Sequence, residues 1–165
     1  MQLRKLIFFS SLVLAVAALS PAAAHGTATG TDRPLKGKVT TTVIANAATG
    51  VATVDGAFRL THLGNGTLHQ DTTTVSFTGN TAVNAGTATY VAANGDKVYT
   101  TVVGTVTFTA TGSEATFVDT ITGGTGRFAD ASGTFTRTGV AVFVSVVGSI
   151  ITQSGTATAE GQISY

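Results

Sequence analysis

These 165 residues contain no cysteine and no tryptophan, two prolines and one methionine, and only 10% of them are charged. Without cysteine there are no disulfide bridges, no thiolate nucleophile and no lipobox through which a lipid could be attached. A domain of this kind has to be held by its core and by a hydrogen-bonded backbone. Without tryptophan, a ligand site walled by indole rings is disfavoured. The few charges are also balanced. The first residues take Arg4 and Lys5 out of nine basic side chains, leaving seven against eight Asp and Glu. That balance gives no electrostatic footing for nucleic acid or an anionic membrane surface. No serine stands in a G-x-S-x-G elbow, so a hydrolase triad has no support.

The N-terminus has the form of an export signal. Arg4 and Lys5 precede an apolar run, Leu6–Leu19, and then Ser20-Pro21-Ala22-Ala23-Ala24. A basic head, an apolar stretch too short to span a bilayer comfortably and a small-x-small site predict a secretory signal peptide over residues 1–24, cut before His25. The product is expected to be secreted or periplasmic. Residues 25–35 read as a flexible leader and residues 36–165 as one domain, with no linker and a single proline, Pro34.

What the domain has in abundance is threonine, which with Val, Ile, Phe and Tyr forms a strand-favouring set. Alternation and turn signals divide it into eight segments: Lys36–Ala45, Val51–Leu63, Thr67–Thr78, Ala82–Ala92, Lys97–Ala110, Ser113–Thr122, Gly133–Val146 and Ile150–Tyr165. Ala93-Asn94-Gly95-Asp96 is the strongest hairpin signal, because Asn-Gly supplies the positive φ angles that a tight turn requires. No window after the leader has a helical period. Eight strands at even spacing read as an up-and-down antiparallel barrel or a sandwich, and closure is favoured because it removes exposed edges. A barrel of eight strands is either filled by its side chains or holds one small ligand. An outer-membrane barrel is a poorer fit: aromatics for interface girdles are few, long loops on one side are missing, and alternating threonine makes a poor lipid-facing band. No membrane insertion is expected.

The most specific stretch is Ile121–Phe135, ITGGTGRFADASGTF. Gly123-Gly124-Thr125-Gly126 lacks the Lys-Ser/Thr and the following helix of a phosphate loop, and reads as a glycine corner. Gly124-Thr125-Gly126-Arg127-Phe128-Ala129-Asp130-Ala131-Ser132-Gly133 resembles the G-x-G-x-F-x-x-A-x-G segment of the allene oxide cyclase and dirigent barrel superfamily. Thr61-His62-Leu63-Gly64, Ala93–Asp96 and Glu160–Tyr165 resemble small secreted bacterial members. The resemblance spans most of Lys36–Tyr165. It implies an eight-stranded antiparallel barrel, a homo-oligomer (trimer or dimer), and an apolar cavity that steers cyclisation or radical coupling. The catalytic patterns of the plant proteins do not align with this chain position by position.

Candidate site residues follow from strand alternation. Asp119 shares a face with Ala115, Phe117 and Ile121; if that face lines the barrel, a desolvated carboxyl there is a candidate acid or base, or the partner of an arginine. Arg137 alternates with Phe135 and Phe143 on the next strand and is a candidate to pair with Asp119 or to hold a ligand carboxylate. Asp119 and Arg137 are therefore the catalytic candidates, and Phe117, Phe135 and Arg59 the ligand-binding ones. His62, before a turn, reads as structural. His69 and Asp71, two apart on one face, read as a surface pair rather than metal ligands. No cofactor and no metal are expected. Two functions fit: an exported barrel that binds a small apolar ligand or a partner, or a cyclase or dirigent-type enzyme that shapes a reactive intermediate in its cavity.

Overall fold

The computed structural model describes residues 30–165. The expected signal peptide (1–24) and most of the expected leader lie outside the described residues. Eight strands form one closed barrel in sequence order: β1 (Arg33–Asn46), β2 (Val51–Leu60), β3 (Gly64–Thr78), β4 (Thr81–Val91), β5 (Lys97–Phe108), β6 (Gly112–Gly124), β7 (Ser132–Val147) and β8 (Ile150–Ser164). Each strand is antiparallel to the next, and β8 closes on β1 from Arg33↔Ile163 to Asn46↔Ile150. The up-and-down topology is the expected one. β1 starts earlier than expected: Arg33, Pro34 and Leu35 pair with β8, and Leu35 is wholly buried, so the chain is already anchored where a flexible leader was expected.

Inward and outward side chains alternate along the strands, as a pleated wall with one dry face requires, with breaks at the register shifts Thr74/Ser76, Tyr99/Thr100 and Phe143/Ser145. The two ends of the barrel differ. Four tight hairpins (β1–β2, β3–β4, β5–β6 and β7–β8) rim one end. The other end carries the β2–β3, β4–β5 and β6–β7 connections and closes over a core of Leu35, Leu60, Leu63, Val98, Phe128 and Ile163. Phe128 is the plug. It lies in a 3-10 turn, Gly126–Phe128, has no exposed surface, and meets the Tyr165 ring edge-on at 4.9 Å. The glycine corner makes this turn feasible. Gly126 has φ 55°, and a Cβ there would collide with the Asp96 carboxylate, whose Oδ2 accepts the Arg127 backbone N–H at 3.2 Å.

The β4–β5 connection is longer than an Asn-Gly hairpin. Gly95 alone takes a positive φ, while Asn94 donates its side-chain amide to Asp96 at 2.6 Å and so braces the loop beneath the plug. Within the wall, Gly86 marks a close approach of strands: a Cβ there would strike the carbonyl oxygen of Asp71 on β3. Replacing Gly86 with valine is expected to cost about 1–3 kcal/mol through overpacking, read as a lower urea midpoint with an unchanged slope.

Candidate functional site

The plug fills the closed half, and the hairpin end opens into a cavity of about 510 Å³. This volume lies within the roughly 300–1,000 Å³ range of small-molecule sites. Its walls are mainly apolar, with Val54, Val106, Phe117, Ala141 and Ile151 among them; Gln70, Asn84, Ser113, Gln153, Arg137 and several threonines are among its polar residues. The rim hairpins, residues 44–52, 75–82, 106–112 and 142–151, contain no ionisable side chain. Several rim hydrophobics stand in solvent, with Phe77 at 59% and Val146 at 61% of full exposure. Apolar surface is therefore continuous from the mouth into the cup.

Where cup and plug meet, a polar cluster crosses the barrel. Asp119 on β6 has no exposed surface and Arg137 on β7 only 5%. Arg137 Nε donates to Asp119 Oδ2 at 2.7 Å and its Nη2 to Oδ1 at 3.3 Å, while the Tyr90 hydroxyl and Thr100 Oγ1 donate to Oδ1 at 2.8 and 3.1 Å. Nη2 of Arg137 also donates to Gln70 Oε1 at 2.5 Å. The guanidinium carbon lies 5.4 Å from the Phe117 ring centre and 5.9 Å from that of Tyr90, within cation–π range. Burial disfavours the charge on Arg137, but the Asp119 carboxylate favours it by charge and hydrogen bond, and the pKa stands above the ordinary arginine value. Burial, with Asp119 adding to it and Arg137 opposing it, pushes the Tyr90 phenol well above its usual range. Tyr90 is thus a neutral donor and Arg137 a cation.

Alternation leaves open which face of β6 and of β7 lines the barrel; Asp119 and Arg137 both turn inward. Asp119 is not a free acid or base facing the cavity, however: three side chains satisfy its oxygens, and it lies below the cavity floor. Arg137 reaches the floor. Phe117 lines the cavity. Phe135 does not; it is sealed in the plugged half, edge-on to Tyr90 at 5.5 Å. The placement of Arg59 also needs correction, since it is exposed on the outer wall. Alternation does not carry past this point because the strand ends at Leu60: the turn that follows, with His62 at φ 69°, brings Leu60 and Leu63 inward three residues apart. Tyr90, Thr100, Gln70 and Gln153 were missed. The signals were present, since Tyr90 alternates with Ala88 and Ala92, and Gln70 with Leu68 and Thr72.

On the outside, His69 on β3 is held between two carboxylates, Nδ1 to Asp55 at 2.7 Å and Nε2 to Asp71 at 3.2 Å. His62 lies apart from it, its ring against Tyr165 and its carbonyl accepting from Arg127. Among the described residues, no group of three or more His, Asp or Glu is placed to hold a metal ion. The hydrogen bond to Asp55, helped by Asp71 and opposed by slight burial, raises the His69 pKa above 6.5. A raised folded-state value contributes stability that is complete below the unfolded pKa and lost as pH rises through the folded one. The melting-temperature difference between wild type and His69→Asn is therefore expected to be largest near pH 6 and to fade toward pH 9. A difference independent of pH over that range would contradict the ion-pair account.

No protein-family model matches this chain, and no curated protein matches it in sequence. Among solved structures it is similar to that of the pterocarpan synthase dirigent protein GePTS1, with a TM-score of 0.44 and 16% identity over 89% of this chain and 98% of that one. At this degree of superposition the likeness carries nothing about activity or ligand.

Proposed function

We propose that the chain is an exported barrel that binds one small, largely apolar ligand in the open half of its interior. The observation that carries this reading is the cup itself: about 510 Å³, apolar in its walls, open at one end and stopped at the other by a buried polar cluster and the Phe128 plug. A small barrel that only needed to be stable would fill this volume with side chains. Export follows from the basic, apolar and small-residue pattern of residues 1–24. The outer wall favours water over lipid as its surroundings, because Lys36, Lys38, Asp55, Arg59, His69, Asp71 and Glu160 project from the middle and closed half of the barrel.

Cyclase or dirigent-type catalysis is the second reading, favoured by Arg137 at the floor with Tyr90 and Asp119 behind it. In that reading Arg137 stabilises developing negative charge in an apolar enclosure, and shape does the rest. The binding reading ranks first because Asp119 is already saturated and a guanidinium cannot act as a base. Native mass spectrometry of the mature chain, purified from its own host without detergent, tests the proposal. The expected result is a mass above that of the polypeptide, with a small molecule released on denaturation. A bare chain that also fails to take up the neutral fluorophore N-phenyl-1-naphthylamine would overturn it.

A further inference from the structure

Two buried donors at the cavity wall have nothing to donate to. Gln70 is 1% exposed and Gln153 4%, both line the cavity, and the side-chain Nε2 of each is buried without a hydrogen-bond partner among the described residues. Buried amide N–H groups in folded proteins are nearly always satisfied, so a pair of them on one cavity calls for an explanation. For Gln70 the orientation of the amide is fixed by its neighbour. A guanidinium only donates, so the atom that meets Arg137 Nη2 must be Oε1, and Nε2 must point elsewhere. For Gln153, Oε1 accepts from Ser113 Oγ at 3.3 Å, leaving its Nε2 unpaired as well. Asn84 Oδ1 accepts from Thr74 at 2.8 Å and from neither of these donors.

The charge at the floor narrows the acceptor further. Among the described residues Arg137 is the one ionised side chain lining the cavity, and its charge is matched by Asp119 directly behind it. A ligand carboxylate would bring a second negative charge toward that pair with no free cation to receive it, at a desolvation cost that nothing local offsets. A neutral carbonyl oxygen has two lone pairs, carries no such cost and suits amide donors. We propose that the ligand is an apolar molecule bearing a neutral carbonyl group (a ketone, ester or amide), with this oxygen inward beside Gln70 and Gln153, whose amides turn their buried Nε2 atoms from the wall to meet it, and its hydrocarbon body toward the open mouth. The assignment rests on the cavity being a ligand site.

The test uses three probes of one length on the mature chain: nonane, 2-nonanone and nonanoate, each competing against N-phenyl-1-naphthylamine. Expected is displacement by all three, with 2-nonanone binding about tenfold or more tightly than nonane and more tightly than nonanoate. Gln153→Met removes a donor without adding a charge and is expected to lower the ratio of 2-nonanone to nonane affinity by about five- to tenfold. If this variant fails to fold, 2-nonanone labelled with carbon-13 at its carbonyl gives the answer in wild type, where hydrogen bonding moves the resonance downfield of its position in hydrocarbon solvent. Equal affinity for ketone and alkane, tighter binding of nonanoate, or an unshifted carbonyl resonance would overturn the carbonyl assignment while leaving the apolar site intact. Failure of all three to displace the fluorophore would overturn the ligand site itself, and the carbonyl assignment with it.

Discussion

Arg137→Met is expected to cost about 3–5 kcal/mol of folding stability, enough to leave a small domain marginal or unfolded. Methionine fills much of the same space, so the loss is not mainly one of packing. It comes from leaving the Asp119 carboxylate, which has no exposed surface, with only Tyr90 and Thr100 as donors and no cation. Gln70 Oε1 loses its partner in the same step. Arg137→Lys is expected to recover only part of the loss, because an ammonium cannot reproduce the arrangement in which Nε and Nη2 share the two carboxylate oxygens while Nη2 also reaches Gln70. Urea unfolding of wild type, Arg137→Met, Asp119→Asn and the double variant forms a cycle. The double variant should lose distinctly less than the sum of the singles, since each single leaves a buried charge that the other substitution removes. Strict additivity would mean that the two side chains do not act as a pair.

The cycle also separates the two functional readings. If Asp119 and Arg137 serve chiefly to close the floor, a folded double variant keeps its affinity for an apolar probe. If Arg137 stabilises charge in a reacting intermediate, turnover of the right substrate falls while binding persists, which is the pattern of an interaction made only in the transition state.

How far the sequence reveals this arrangement can be followed residue by residue. Turn residues and alternation locate all eight strands, since glycine and asparagine punctuate the chain and a one-sided core imposes a period of two. The same alternation groups Asp119 with Phe117 and Ile121, and Arg137 with Phe135, and makes the pairing of Asp119 with Arg137 one of the expected outcomes; which face turns inward is decided only when the barrel closes. It fails at Arg59 because the period restarts across a turn, and the left-handed backbone at His62 cannot be read from a threonine-rich string. It fails for Phe135 in another way: the inner face is correct, but only the three-dimensional position of the plug decides which inward residues meet a cavity. Gln70 and Gln153 do not stand out in the sequence because glutamine in a strand ordinarily points to water. Their inward phase was legible beside Leu68 and Ile151, but their unpaired amides exist only once the barrel has closed.

The second large effect is expected at the other end of the barrel. Phe128→Ala removes a ring with no exposed surface from a short turn that no long element supports, and is expected to cost about 3–5 kcal/mol. The neighbours are poorly placed to collapse into the void. Tyr165 meets the ring edge-on at 4.9 Å, the Arg127 guanidinium covers it at 4.6 Å, and Leu35, Leu63 and Ile163 are fixed by the strands and connection that carry them. Phe128→Leu, which keeps most of the volume, should cost less than half as much. Both losses should appear as lower urea midpoints with little change in slope, as befits a change in stability rather than in the surface exposed on unfolding. The effect on binding should be different in kind. The cup lies beyond the Asp119–Arg137 floor, so in Phe128→Leu the affinity for N-phenyl-1-naphthylamine should match wild type within about twofold, as for sites that share no partners. A drop in affinity that scales with the loss of stability would show that plug and cup are one cooperative structure, with the polar cluster transmitting strain between them.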